Sequence, residues 1–225
     1  MGISVDASKA GVAQFISAEM GSDVITGIEY IHATSFNDIL RGDDTGNNFG
    51  TRAGDDVIYT GNGNNIVWAH AGNDILSGGS GNDTLIYDAE DITTVNGGAD
   101  NEILSFKAAG ESLDLSTIVD TVCINLEAID LTGSGNNSLA FDISDILAIN
   151  EGANGFMAGT NYAVTDNLLI IDGNAGDTLT ANGVWSDTTT DVSLVLDGST
   201  SESYSVYQSN DGTATVVLND QVSLI

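Results

Sequence analysis

Gly54-Asp55-Asp56-Val57-Ile58, Gly63-Asn64-Asn65-Ile66-Val67, Gly72-Asn73-Asp74-Ile75-Leu76 and Gly81-Asn82-Asp83-Thr84-Leu85 repeat one phrase with small changes, and Asn37-Asp38-Ile39-Leu40 opens the series. Asp56, Asn65, Asp74 and Asp83 stand nine residues apart, the period of the nonapeptide Gly-Gly-x-Gly-x-Asp-x-U-x, in which U is a large apolar residue. Each half of that unit has a physical task. The glycines reach the left-handed angles of a tight turn and the x-U-x triplet supplies a short strand, so turn and strand together make half a coil. A carboxylate at the sixth position, beside turn carbonyls with no ladder partner, offers the hard oxygen donors that Ca²⁺ prefers.

Followed outward, the sixth positions read Asp38, Asn48, Asp56, Asn65, Asp74, Asp83 and, after an insertion, Glu102, at steps of 10, 8, 9, 9, 9 and 19. Phe36 and Asp100 stand where the fourth-position glycine belongs, Thr51-Arg52-Ala53 replaces Gly-Gly-x, and His70 takes a glycine position. Distorted turns are expected there, with Arg52 a surface residue. The repeats resemble the RTX family of calcium-binding β-rolls. That resemblance implies an all-β, parallel β-roll or β-solenoid in which two nonapeptides make one coil, with calcium ions held between neighbouring turns on the same side. Same-side partners then lie about 18 residues apart. One edge would carry Asp38, Asp56 and Asp74, the other Asn48, Asn65, Asp83 and Glu102. Asn offers one neutral carbonyl oxygen where Asp offers two charged ones, so the all-Asp edge should bind calcium more tightly. The implied metal ligands are Asp38, Asp56, Asp74 and Asp83, with turn carbonyls from Thr51, Ala53, Ala69, Ala71, Gly78 and Ser80. Asn65, Asp100 and Glu102 extend the set, and Asp177 is a later candidate.

Composition agrees with a metal-dependent fold. Among 225 residues, 33 Asp and Glu face 4 Lys and Arg, a formal charge of −29 that resists compaction unless cations neutralise it and that makes nucleic acid an improbable partner. With 41% hydrophobic residues, the chain is not compositionally disordered. One cysteine and no proline exclude a disulfide framework, so calcium would replace disulfides as the staple. Cys123 lies in the apolar run Thr121-Val122-Cys123-Ile124-Asn125-Leu126 and reads as a buried core thiol. No stretch approaches a transmembrane helix, and the amino end lacks the basic and apolar regions of a cleaved signal peptide. Ile3-Ser4-Val5-Asp6 reads as a strand already under way, which suggests a piece of a longer protein.

Before the repeats, apolar segments run from Val12 to Met20, where a short capping helix is expected, and from Val24 to Ile31. After Leu104 the pattern loosens. Thr132-Gly133-Ser134-Gly135-Asn136-Asn137 and Asp172-Gly173-Asn174-Ala175-Gly176-Asp177 echo the turns, with β-rich runs between them and a helical stretch at Asp142 to Ile149. This half resembles the ends of large RTX adhesins exported by bacterial type I secretion. The residues that carry the resemblance are Ile124 to Gly135, the Asp172 to Leu179 turn, and Tyr204-Ser205-Val206-Tyr207 leading to Thr213 to Val217. It implies a secreted, extracellular or surface location in a Gram-negative bacterium, the type I machinery as partner of the carboxyl end, and Asp220 to Ile225 as part of an uncleaved export signal or a final edge strand. The expected division is a cap and first coil at 1–36, the β-roll at 37–105 and an irregular continuation at 106–225.

Other functions fit less well. β-rolls of this family can be tails of secreted hydrolases, but His32 and His70 are the only histidines, and neither a His-Glu-x-x-His motif nor a Gly-x-Ser-x-Gly elbow occurs. No enzyme is expected in this segment, and both histidines read as surface or turn residues. A flat ice-binding face needs one threonine per coil, whereas successive turns begin Thr51, Thr60, Ala69 and Gly78. Tyr59, Trp68, Tyr87, Trp185, Tyr204 and Tyr207 are candidates for a sugar-binding surface. The expectation is a monomeric, calcium-dependent folding and secretion module of an adhesin.

Overall fold

The computed structural model describes residues 1–9, 13–17, 21–24, 27–88, 94–150, 154–162, 167–196 and 201–224. The chain forms two compact units, Met1–Glu102 and Ile103–Ile225.

The first unit contains β1 (Ser4–Asp6), β2 (Ala13–Ser17), β3 (Gly21–Val24), β4 (Tyr30–His32), β5 (Ile39–Arg41), β6 (Asn48–Ala53), β7 (Val57–Tyr59), β8 (Ile66–Ala71), β9 (Ile75–Ser77), β10 (Thr84–Tyr87) and β11 (Thr94–Asn96). Odd and even repeats feed different sheets. β1, β5, β7, β9 and β11 stack in parallel, and β4, β6, β8 and β10 form a second parallel stack. The register is Ile39↔Val57↔Ile75 in one sheet and Asn48↔Ile66↔Thr84 in the other, so one coil is 18 residues. The U residues follow as two buried columns, Leu40, Ile58 and Leu76 in one and Phe49, Val67 and Leu85 in the other, each 0 or 1% exposed. A short strand flanked by turns can bury only its central side chain, and stacking identical coils joins those side chains into one core.

The structure corrects two expectations here. Within the Val12–Met20 segment, Ala13–Ser17 is a strand paired antiparallel with Gly21–Val24, not a helix. A few apolar positions over so short a span fit either period, and a hairpin partner next in sequence decides it. The rest of that segment, 12 and 18–20, lies outside the described residues, as do 25 and 26 of the next one. The sixth position before β6 is Asn47, which is 1% exposed, whereas Asn48 is already a strand residue opposite Ile66. The sixth positions therefore run Asp38, Asn47, Asp56, Asn65, Asp74 and Asp83 without a break in the nine-residue step.

The second unit contains β12 (Ile103–Phe106), β13 (Ser112–Asp114), β14 (Cys123–Ile124), β15 (Ala128–Asp130), β16 (Ser138–Phe141), α1 (Ile143–Ile149), β17 (Leu168–Asp172), β18 (Thr178–Ala181), β19 (Trp185–Leu194), β20 (Glu202–Ser209), β21 (Thr215–Asn219) and β22 (Ser223–Leu224). β12, β15, β17 and β21 are successively parallel, as are β13, β16, β18 and β22, so coiling continues. Ser112, Ser138, Thr178 and Ser223 share one register, and the unequal spacings between them explain why no short period is visible. β21, β20 and β19 then turn antiparallel over a core that includes Met157, Leu168, Ile170, Tyr204, Val206 and Val217. Cys123 is buried in this unit, and burial pushes its thiol up to about 12. α1 forms where expected, under a capping box in which Asp142 accepts from the Ser144 and Asp145 amides and Asp145 accepts from the Asp142 amide. At the carboxyl end, β22 is the edge strand beside β18.

Candidate metal centre

Five turns of the roll, those from Thr51 onward, place a left-handed residue at the second and fourth positions, whereas the turns before Asp38 and Asn47 do not. The pairs are Arg52 and Gly54, Gly61 and Gly63, His70 and Gly72, Gly79 and Gly81, and Gly98 and Asp100, all with φ between 63° and 150°. Arg52, His70 and Asp100 therefore adopt the glycine conformation, and those turns keep the repeat's geometry at the cost of local strain. The close approach of coils also demands glycine: a Cβ on Gly72 would lie 2.0 Å from the Gly54 carbonyl oxygen, and one on Gly79 would clash as badly with Gly61.

The sixth-position side chains point inward and tie one coil to the next. Asp56 Oδ1 accepts the Asp38 amide at 2.7 Å, and Asp74 Oδ1 accepts the Asp56 amide at 2.6 Å. On the other edge Asn65 Oδ1 accepts the Asn47 amide at 2.7 Å, and Asp83 Oδ1 accepts the Asn65 amide at 2.8 Å. Asp38, Asp56, Asp74 and Asp83 are each at most 1% exposed. The edges are those expected from the 18-residue coil, with Asn47 replacing Asn48.

The two oxygens of these carboxylates differ. Oδ2 of Asp56 and Oδ2 of Asp83 are buried and have no hydrogen-bond partner. A buried carboxylate so placed is costly to ionise, and burial pushes Asp56 up to about 6 and Asp83 up to about 7. A proton or a cation relieves that cost. The ligands these turns can offer, carboxylates and main-chain carbonyls, are hard oxygen donors, so the residues fit Ca²⁺ better than a softer metal. Among the described residues no three carboxylate, imidazole or thiol side chains converge on one point. An ion would therefore draw much of its shell from the main chain.

Not every expected ligand is equally available. Asp38 is already supplied with donors, since its oxygens accept from the Ile3 amide, the Thr34 amide and the Thr34 hydroxyl. The Ala69 carbonyl accepts from the Thr51 hydroxyl, the Gly78 carbonyl from the Thr60 hydroxyl, and the Ala71 carbonyl from the Gly54 amide. Ser80 pairs through its hydroxyl with Asn62, and Asp100 accepts from the Gly81 amide. Ala53 closes β6, and Glu102 is fully buried. Asn65 replaces an ion with its own amide: Nδ2 donates to the Gly63 carbonyl at 2.7 Å, to Asp83 Oδ1 at 2.9 Å and to Thr60 Oγ1 at 3.1 Å.

The second unit repeats the same device. Asn137 Oδ1 accepts the Glu111 amide, and Asp177 Oδ1 accepts the Asn137 amide at 2.7 Å. Asp177 Oδ2, however, accepts the Asn174 amide at 2.6 Å, so both of its oxygens have backbone donors. In β15, Asp130 is similarly supplied by Ser105, Lys107 and Thr132.

Residues 24–45 and 51–85 match the model of the RTX calcium-binding nonapeptide repeat in four copies. The chain thus carries an RTX repeat region, a structural calcium-binding module and not a catalytic one, and calcium is its ion. The matched segments lie within the first unit. No curated protein matches the chain. No helix among the described residues is long and apolar enough to cross a membrane.

Proposed function

From this RTX repeat region we infer that the chain is the calcium-dependent folding and secretion module of a larger extracellular adhesin, its repeat region held unfolded in a calcium-poor cytosol and folding on emergence from type I export. One observation carries the calcium switch: Asp56 and Asp83 each bury a carboxylate oxygen that makes no hydrogen bond of normal geometry, and burial outweighs the Thr51 and Asn65 donors near them. The ion-free roll is therefore penalised at the residues that an ion would bridge. Sites of ~10⁻⁴ to 10⁻³ M affinity, common for extracellular modules, stay empty in a cytosol and fill outside it. One site at ten times its dissociation constant contributes about 1.4 kcal/mol. Four such sites approach the whole stability margin of a small domain, so the switch is collective.

The ligands in this reading are Asp56, Asp74 and Asp83 first, with Asp38, Asp100, Glu102 and the turn carbonyls of Thr51, Ala53, Ala69, Ala71, Gly78 and Ser80 completing shells as neighbouring bonds rearrange. The Asn65 turn is filled by its own amide, which supports weaker binding on the Asn edge. Asp177, with both oxygens supplied, serves the turn as a structural acceptor. Export favours a chain without stable structure, and folding of the emerging segment would oppose its return. The adhesin and secretion assignments rest on the resemblance of the late turns and on the acidic composition. Circular dichroism during a calcium titration from chelator, with magnesium as control, tests the switch. A cooperative, calcium-specific gain of β signal supports it, and a full β spectrum in chelator sinks it.

A further inference from the structure

Away from the turns, the outward positions of β4, β6 and β8 stack in the coil register. Tyr30, Asn48 and Ile66 form one row, and His32, Gly50 and Trp68 form the next. Gly50 leaves a side-chain gap in its row that the His32 imidazole partly covers, its Nδ1 lying 2.9 Å from where a Cβ would stand. The gap opens a groove of about 290 Å³, lined by Tyr30, Ile66 and Trp68, which are 69, 40 and 42% exposed, and by the two histidines. His70 lies against Trp68 with ring centroids 5.8 Å apart at 47°.

The lining selects its ligand by chemistry. No carboxylate contributes to it, so it is not built for a cation, while a chain of charge −29 repels anions. What fits is a neutral molecule with an apolar face for the indole and phenol rings and hydroxyls for Asn48, His32 and His70. The volume lies at the small end of ligand sites, which suits one ring and not an extended chain. Of the aromatic residues singled out from sequence, Trp68 alone lines this groove: Tyr87 and Tyr204 are buried, Tyr59 is covered by the Arg41 guanidinium 4.2 Å above its ring, and Trp185 lies edge-on to Phe141.

We propose that this groove binds the ring of a neutral pyranose sugar, stacked on Trp68 and hydrogen-bonded by Asn48 and the two histidines. The test is tryptophan fluorescence of the calcium-loaded chain carrying Trp185→Phe, so that Trp68 is the reporter. The probes are the methyl glycosides of glucose, galactose, mannose and N-acetylglucosamine. The expected result is a saturable change with at least one glycoside, in the millimolar range usual for single sugar rings. Gly50→Val needs no left-handed backbone, displaces the His32 imidazole and narrows the groove, and should weaken that binding at least tenfold, with an unchanged calcium-induced circular dichroism spectrum. No saturable response to any glycoside overturns the proposal, as does a response undiminished in Gly50→Val. Sedimentation showing a dimer that Trp68→Ala dissolves would also overturn it, by giving the groove to a second copy of the chain.

Discussion

At the scale of single residues, the turns set a conflict between burial and charge that only a bound cation or proton resolves. In chelator, Asp56 and Asp83 have folded-state values of about 6 and about 7 against 3.8 when unfolded. The ion-free fold then binds more protons than the unfolded chain between pH 4 and 7, so its stability falls as pH rises through that window. In chelator the β signal is expected to grow as pH falls from 7 to 4, as protons satisfy the buried carboxylates; a signal that shrinks over the same range would contradict the burial argument. Burial also pushes Asp172, in the second unit, up to about 6, so the change is read by amide hydrogen exchange across β5 to β9 of the first; Asp130, which burial raises but hydrogen bonds from Ser105 and Thr132 and the Lys107 charge leave below 3.8, changes only under more acid conditions. Asp83→Asn should separate the two roles of that carboxylate. It is expected to raise the β signal that remains in chelator at pH 7 while increasing several-fold the calcium needed for folding, because a neutral amide removes both the buried charge and an ionic ligand.

At the scale of the element, glycine is favoured where φ is positive, and the turns of the roll depart from that rule at Arg52, His70 and Asp100. A left-handed non-glycine residue costs roughly 1–2 kcal/mol. His70→Gly is therefore expected to stabilise the calcium-loaded roll by about 1 kcal/mol after the entropy cost of glycine, read as a shift in its urea midpoint. Gly72→Ala should do the reverse and cost several times more, because its Cβ would strike the Gly54 carbonyl. In the second unit Asp142→Ala removes the acceptor of two first-turn amides of α1 and is expected to cost about 1 kcal/mol. These elements were unequally legible. The roll was readable because every coil solves the same packing problem with the same residues, so period, edges and buried U column all follow from nine-residue spacing. The slip between Asn47 and Asn48 arose because two identical side chains stand side by side and only the inter-coil hydrogen bond distinguishes them. The β2–β3 hairpin and the antiparallel β19–β21 meander were missed because short apolar runs do not reveal their partners. Tyr30 and His32 were missed in the aromatic groove, although applying the 18-residue register to outward positions places them beside Trp68.

At the scale of the whole chain, the formal charge of −29 raises the question of whether calcium acts by ligation or by screening. Salt at 1 M shortens the Debye length to about 3 Å and relieves repulsion between exposed carboxylates, but it supplies no ligand to a buried oxygen. Sodium chloride at about that strength should therefore leave the roll largely unfolded, which circular dichroism in chelator will show. The distribution of unsatisfied oxygens adds a sharper expectation. In the first unit the orphaned atoms sit on the inter-coil ladder itself, at Asp56 and Asp83, where each lost ion loosens the coil on either side. In the second unit the matching ladder residue, Asp177, has backbone donors on both oxygens, and the core around Leu168, Ile170, Val206 and Val217 contains no charged member. Calcium removal should then act mainly on the first unit. Amide hydrogen exchange in chelator is expected to lose protection across β5 to β9 while β17, β20 and β21 keep theirs. Equal loss in both units would mean that calcium stabilises the chain through general charge neutralisation, and loss confined to the second would place the decisive ions outside the repeats.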